Sequence, residues 1–143
     1  MSKTLVNNLI KRPLVTLQES ETVRDAIKKL GNYNIGAIPV INHEMELTGI
    51  LSERDIVKAL AKSSYNDFCD KPVKELMTHP VISCDQEIFS DKLMELMTKN
   101  KIRHIPIVAN KRPIGIVSIG DVVNRLLEKF EYENQMLKEY LSG

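Results

Sequence analysis

Cysteine is scarce, charge is balanced and long apolar runs are missing. The two cysteines, Cys69 and Cys84, have neither the dense, even spacing of a disulfide framework nor a CxxC pair for zinc, so both are expected as thiols in a reducing compartment. Twenty Lys and Arg stand against nineteen Asp and Glu, a net charge of +1. No whole-molecule field therefore argues for nucleic acid, a membrane surface or an acidic partner. No stretch approaches the roughly 18 consecutive apolar residues of a membrane span, and "MSKTLVNNLI" has no apolar core of signal-peptide length. The expected compartment is the cytoplasm. Catalytic signatures are missing too. There is no Walker A pattern, "GIVSIG" has the wrong glycine spacing for GxGxxG, and no Ser, His and acid arrangement follows from spacing. His43 and His79 read as turn residues without a partner at metal-ligand spacing. No enzymatic activity and no metal are expected.

What the chain does have is a repeat. "GILSERDIVKAL" (49–60) and "GIVSIGDVVNRL" (115–126) share an offset of 66, which links Ser52 with Ser118 and Asp55 with Asp121. Upstream the offset is 67, linking Thr16 with Ser83, Ile35 with Ile102 and Pro39 with Pro106. The change falls in the turns "NHEMELT" and "ANKRPI", where a one-residue insertion is easily tolerated.

Each copy reads alike. "LVTL" and "VISC" are strand-like. Val23, Ala26, Ile27 and Leu30, then Ser90, Leu93, Met94 and Met97, recur at helical spacing. "AIPVI" and "HIPIV" follow as strands whose proline needs an edge or an unpaired N–H. "LTGILS" and "PIGIVS" complete hairpins, and second helices start at Glu53 and Ile119. The reading is a mixed α/β (α+β) chain of two β-α-β-β-α units: repeat 1 over 1–63, a polar linker over 64–76 carrying Pro72, repeat 2 over 77–129, and a helical extension over 130–143. One unit of about 60 residues buries too little alone, so the two should pack sheet to sheet with approximate two-fold symmetry. The methionines of "LMELM" are read as core packing.

These paired motifs, "GAIPV" with "RHIPI" and "GILSERD" with "GIVSIGD", resemble the CBS-domain family, and within it small stand-alone proteins made of one tandem CBS pair. The resemblance spans roughly Ile10 to Lys129. It implies a regulatory or sensing role, with adenosine-containing ligands bound in two clefts between the repeats. The Ser-x-x-Asp aspartate would hold the ribose hydroxyls and the serine would lie near ribose or phosphate, which points to Ser52 with Asp55 and Ser118 with Asp121. Adenine would lie against the other repeat. For the Asp121 cleft this implies Ile10, Pro13 and Val15 with Ile35, Gly36 and Ala37; for the Asp55 cleft, Met77, Pro80 and Ile82 with Ile102, Arg103 and His104. AMP, ADP, ATP, NAD(H) and S-adenosylmethionine all carry the adenosine concerned, and the regulated protein partner is unidentified.

Elementary chemistry fits these roles. A carboxylate accepts charge-assisted hydrogen bonds from a cis-diol, a helix N-terminus favours an anion, and Arg103 offers a planar fork for phosphate. Ser-x-x-Asp before a helix is equally the pattern of a capping box. The competing function is an interaction scaffold whose clefts are vestigial. The copies also differ. Thr22, a candidate helix cap, corresponds to Phe89, and Gly36 to Arg103. With Gly120 beside it and Gly36 opposite, the Asp121 cleft is expected to be the more open, whereas Arg103 could pair with Asp55 or Glu53. Val123, Leu126, Leu127, Phe130, Leu137 and Leu141 lie near one face of the last helix, so a homodimer is expected to cover them.

Overall fold

The duplication is visible in the backbone of the computed structural model, which describes residues 5–10 and 12–142. The first copy runs β1 (Leu17–Gln18), α1 (Val23–Tyr33), β2 (Ala37–Ile41), β3 (Leu47–Ser52) and α2 (Glu53–Lys62). After a single turn, α3 (Tyr65–Phe68), the second runs β4 (Cys84–Asp85), α4 (Ser90–Asn100), β5 (His104–Ala109), β6 (Arg112–Ser118) and α5 (Ile119–Ser142). Each forms a three-stranded sheet, β1-β2-β3 and β4-β5-β6. In both, the first pair of strands is parallel and the second antiparallel.

"LVTL" and "VISC" are shorter strands than expected, pairing only from Leu17 and from Cys84 onward. The prolines account for this. Ile50, opposite Pro39, exchanges its N–H and C=O with Thr78 at 3.0 and 2.8 Å, so by ladder alternation the Pro39 nitrogen faces the β1 side. Proline has no N–H to give there, and β1 begins one residue on, opposite Val40. Pro106 limits β4 in the same way, which begins opposite Ile107. Asn110 and Lys111, at φ 52° and 67°, form the two-residue turn of the second hairpin. The first hairpin is instead tied by the Asn42 side chain, which accepts from the Glu44 and Glu46 N–H groups at 2.9 and 3.0 Å.

The two cores are completed crosswise. Leu17, Ala26, Leu30, Ile38, Val40 and Leu51 bury one face of the first sheet together with Val73, which follows the first repeat. Leu93, Met97, Ile105, Ile107 and Val117 do so in the second, together with Val6 and Leu9 from a 3₁₀ turn at the start of the chain. Leu93 and Met97 of "LMELM" are thus core residues. The segment read as a polar linker is also docked. Phe68, Cys69 and Val73 are buried, and the carbonyls of Lys71 and Cys69 accept the Val23 and Arg24 N–H groups at 2.9 and 2.8 Å. Those are first-turn amides of α1 that have no partner within the helix. Asp25 closes the same end in a capping box with Thr22, and hydrogen bonds from the Thr22 backbone and side chain hold its carboxyl below the usual range. Phe89, at the equivalent position before α4, supplies no side-chain cap.

Candidate functional site

Where β3 passes into α2 and β6 into α5, the Ser-x-x-Asp pairs form capping boxes. The Ser52 N–H donates to Asp55 Oδ2 at 2.8 Å and the Asp55 N–H to Ser52 Oγ at 3.3 Å. The corresponding bonds between Ser118 and Asp121 are 2.8 and 3.2 Å. The first amide of each helix is also engaged, Glu53 to the Gly36 carbonyl at 2.9 Å and Ile119 to the Arg103 carbonyl at 2.8 Å. The caps consume Oδ2 of each aspartate, and a carboxylate retains further lone pairs.

The two copies use the remaining oxygen differently. Asp55 Oδ1 accepts from the Thr78 hydroxyl at 2.9 Å. Asp121 is instead covered by Arg12, whose Nη2 lies 3.4 Å from Oδ1 and 3.2 Å from Oδ2. The expectation of a more open Asp121 cleft is therefore reversed. A cleft of roughly 500 Å³ opens at Asp55, within the size range of small-ligand sites. Nor does Arg103 close that cleft: among the described residues no ion pair within 4.0 Å joins it to Glu53 or Asp55.

Ser52, Arg54, Asp55 and Lys58 form the α2 wall, Gly36 and Ala37 the adjoining sheet edge, and Asn100 to His104 the wall from the second repeat. Of the expected residues, the cleft thus gathers Ser52, Asp55, Gly36, Ala37, Ile102, Arg103 and His104. Gly36 and Ala37, expected on the Asp121 side, stand here because Gly36 lies directly before β2 and its carbonyl accepts from the first residue of α2. Ile10 and Met77 are seated over glycines of the two sheets. A Cβ at Gly115 would lie 2.8 Å from Ile10 Cδ1, and one at Gly49 would meet the Met77 sulfur. Val15 and Ile35 pack on the first core, while Pro13, Pro80 and Ile82 are exposed.

Thr78, Lys58, Lys101 and Arg12 are site residues that the sequence reading passed over. Repeat alignment could have flagged Lys101, which corresponds at offset 67 to Asn34; both end a helix in the left-handed region at φ 55°. Thr78 carried no such signal, because its role comes from the backbone bridge to Ile50. His104 stands where the two halves meet, its ring against Gly36: a Cβ there would lie 3.0 Å from His104 Cε1. Burial lowers the His104 pKa, and Arg12 and Arg103 add to this against Glu53 and Asp121. The imidazole is accordingly neutral at neutral pH.

Among the described residues, no group of three or more His, Cys, Asp or Glu is placed to hold a metal ion, and no helix is long and apolar enough to cross a membrane.

Comparison with known proteins agrees with this architecture. The CBS-domain family model matches residues 6–62 and 73–128. The mitochondrial CBS domain-containing protein CBSX3 of Arabidopsis thaliana is 36% identical over 127 residues, covering 86% of this chain but only 61% of that protein. An inosine-5'-monophosphate dehydrogenase of Methanocaldococcus jannaschii is 31% identical over 83% of this chain, which spans 23% of the enzyme. Among solved structures, the CBS-domain containing protein ATU1752 from Agrobacterium tumefaciens superimposes with a TM-score of 0.72 at 37% identity, covering 79% of this chain and 84% of that one. The CBS domain pair of protein MJ0100, in complex with 5′-methylthioadenosine and S-adenosyl-L-methionine, gives 0.81 at 29% identity over 90% of this chain and 99% of that one. Two matched repeats, each with its sheet, its helix-capping Ser-x-x-Asp and its place beside a shared cleft, make this chain a member of the CBS-domain family, built as one tandem CBS pair.

Proposed function

We propose that the protein is a regulatory sensor that binds an adenosine-containing molecule in the Asp55 cleft and, as a homodimer in the cytoplasm, presents a ligand-dependent surface to a partner protein. One observation carries this reading: the Asp55 carboxylate, held by Ser52 and Thr78, stands in the wall of an open cleft between the repeats, where it would accept from ribose hydroxyls. The adenosine compounds bound by the MJ0100 pair support it. A panel of AMP, ADP, ATP, NAD(H) and S-adenosylmethionine tests it by thermal denaturation. A ligand at about 100 times its dissociation constant should stabilise the fold by about 2.7 kcal/mol, raising the melting temperature by several degrees. No shift with any of them at millimolar concentration gives the function to the interaction-scaffold reading instead.

The dimer rests on helix faces. Val57 and Leu60 of α2 are exposed, as are their offset-66 counterparts Val123 and Leu126 of α5, and the apolar stripe continues through Leu127, Phe130, Leu137 and Leu141. A helix of 24 residues is about 36 Å long, so this stripe runs well past the repeat. A chain ending at Lys129 should dimerise more weakly than the full chain by light scattering at low micromolar concentration. Unchanged dimerisation excludes the extension from the interface.

A further inference from the structure

Resting on the adenosine-binding reading, we infer that the Asp55 cleft takes a nucleoside polyphosphate, an adenosine carrying at least two phosphates, in preference to adenosine or a sulfonium nucleoside. Arg54 and Lys58 line it from α2, and Lys101 and Arg103 from the second repeat, against the two carboxylates of Glu53 and Asp55. In a protein whose overall charge is +1, this is a local concentration of cations. Among the described residues none of the four has a carboxylate partner within 4.0 Å.

The duplication supplies an internal control. At the equivalent positions of the other repeat stand Gly120, Asn124, Asn34 and Gly36, all uncharged. The fold of a repeat therefore does not require these cations. Lys101 also occupies a left-handed position, φ 55°, that asparagine or glycine adopts at lower cost. A lysine held there, with its side chain at the cleft, fits a task other than ending α4. The phosphate-directed chemistry comes from side chains, because the Glu53 and Asp55 amides are already spent on Gly36 and Ser52. With ribose on Asp55, a chain of two or three phosphates would engage the guanidinium forks of Arg54 and Arg103 and the ammonium groups of Lys58 and Lys101. A positively charged sulfonium would be repelled.

Calorimetric titration of the full chain with adenosine, AMP, ADP, ATP, S-adenosylmethionine and inorganic tripolyphosphate tests this, together with the double variant Lys58→Asn/Lys101→Asn. That variant carries the other repeat's own residues and should retain the fold, which circular dichroism checks. ATP and ADP should bind at least about tenfold more tightly than adenosine or S-adenosylmethionine, and the double variant should lose roughly ten- to a hundredfold in ATP affinity while keeping its affinity for adenosine. ATP binding no tighter than adenosine, unaltered ATP affinity in the variant, or tripolyphosphate binding as tightly as ATP would each overturn the inference. The first two of these leave the adenosine-sensor reading standing. If no adenosine compound binds, that reading falls as well.

Discussion

Replacing Leu9 by alanine is expected to destabilise the protein by about 3 kcal/mol, although Leu9 lies outside the second repeat whose core it fills. Its side chain has no solvent exposure and sits in one cluster with Leu93, Ile105, Ile107 and Val117. Deleting three buried carbons leaves a cavity among the packed side chains of α4, β5 and β6, which a close-packed interior refills only in part. Domains of this size have a total stability of about 5–15 kcal/mol, so the loss is a large fraction of the whole. Leu5→Ala is the control, since Leu5 is 41% exposed and its truncation should change stability by less than about 0.5 kcal/mol. Urea denaturation of the two variants decides the matter. Equal stabilities would mean that the N-terminal turn is not part of the second core.

The second large effect concerns the two aspartates. Asp55→Asn should weaken binding of the best adenosine ligand by roughly ten- to a hundredfold, and Asp121→Asn by much less. Asparagine keeps an oxygen for the Ser52 N–H and so preserves the cap, while the charge that strengthens a bond from a ribose hydroxyl is removed. At Asp121 that charge is already engaged by Arg12 at 3.2 Å, and a ligand would have to displace the guanidinium before reaching the carboxylate. Calorimetry on both variants, with the fold checked by circular dichroism, separates these cases. Equal affinities for the wild type and Asp55→Asn would leave Ser52 and Asp55 as a helix cap alone.

The order of elements was legible because each is a local property. Strand and helix periods, prolines within strands and the recurrence of Gly, Ser and Asp at offsets of 66 and 67 can all be read along the chain. The starts of α2 at Glu53 and α5 at Ile119 and the uncapped position at Phe89 follow from the same local chemistry. The even charge balance, by contrast, concealed the cations of the Asp55 cleft, since a sum over the chain says nothing about where charges meet.

The duplicated β-α-β-β-α pattern, the family resemblance and the two Ser-x-x-Asp pairs are all legible along the chain, because they depend on neighbours within a few residues. That Asp55 faces an open cleft while Arg12 covers Asp121 emerges only when the repeats are packed together. Arg12 and Asp121 are 109 residues apart, and Leu9 too is far along the chain from the sheet it completes. Such pairings are set by the packing of one repeat on the other, where near-identical motifs meet different neighbours, and no local periodicity encodes that difference.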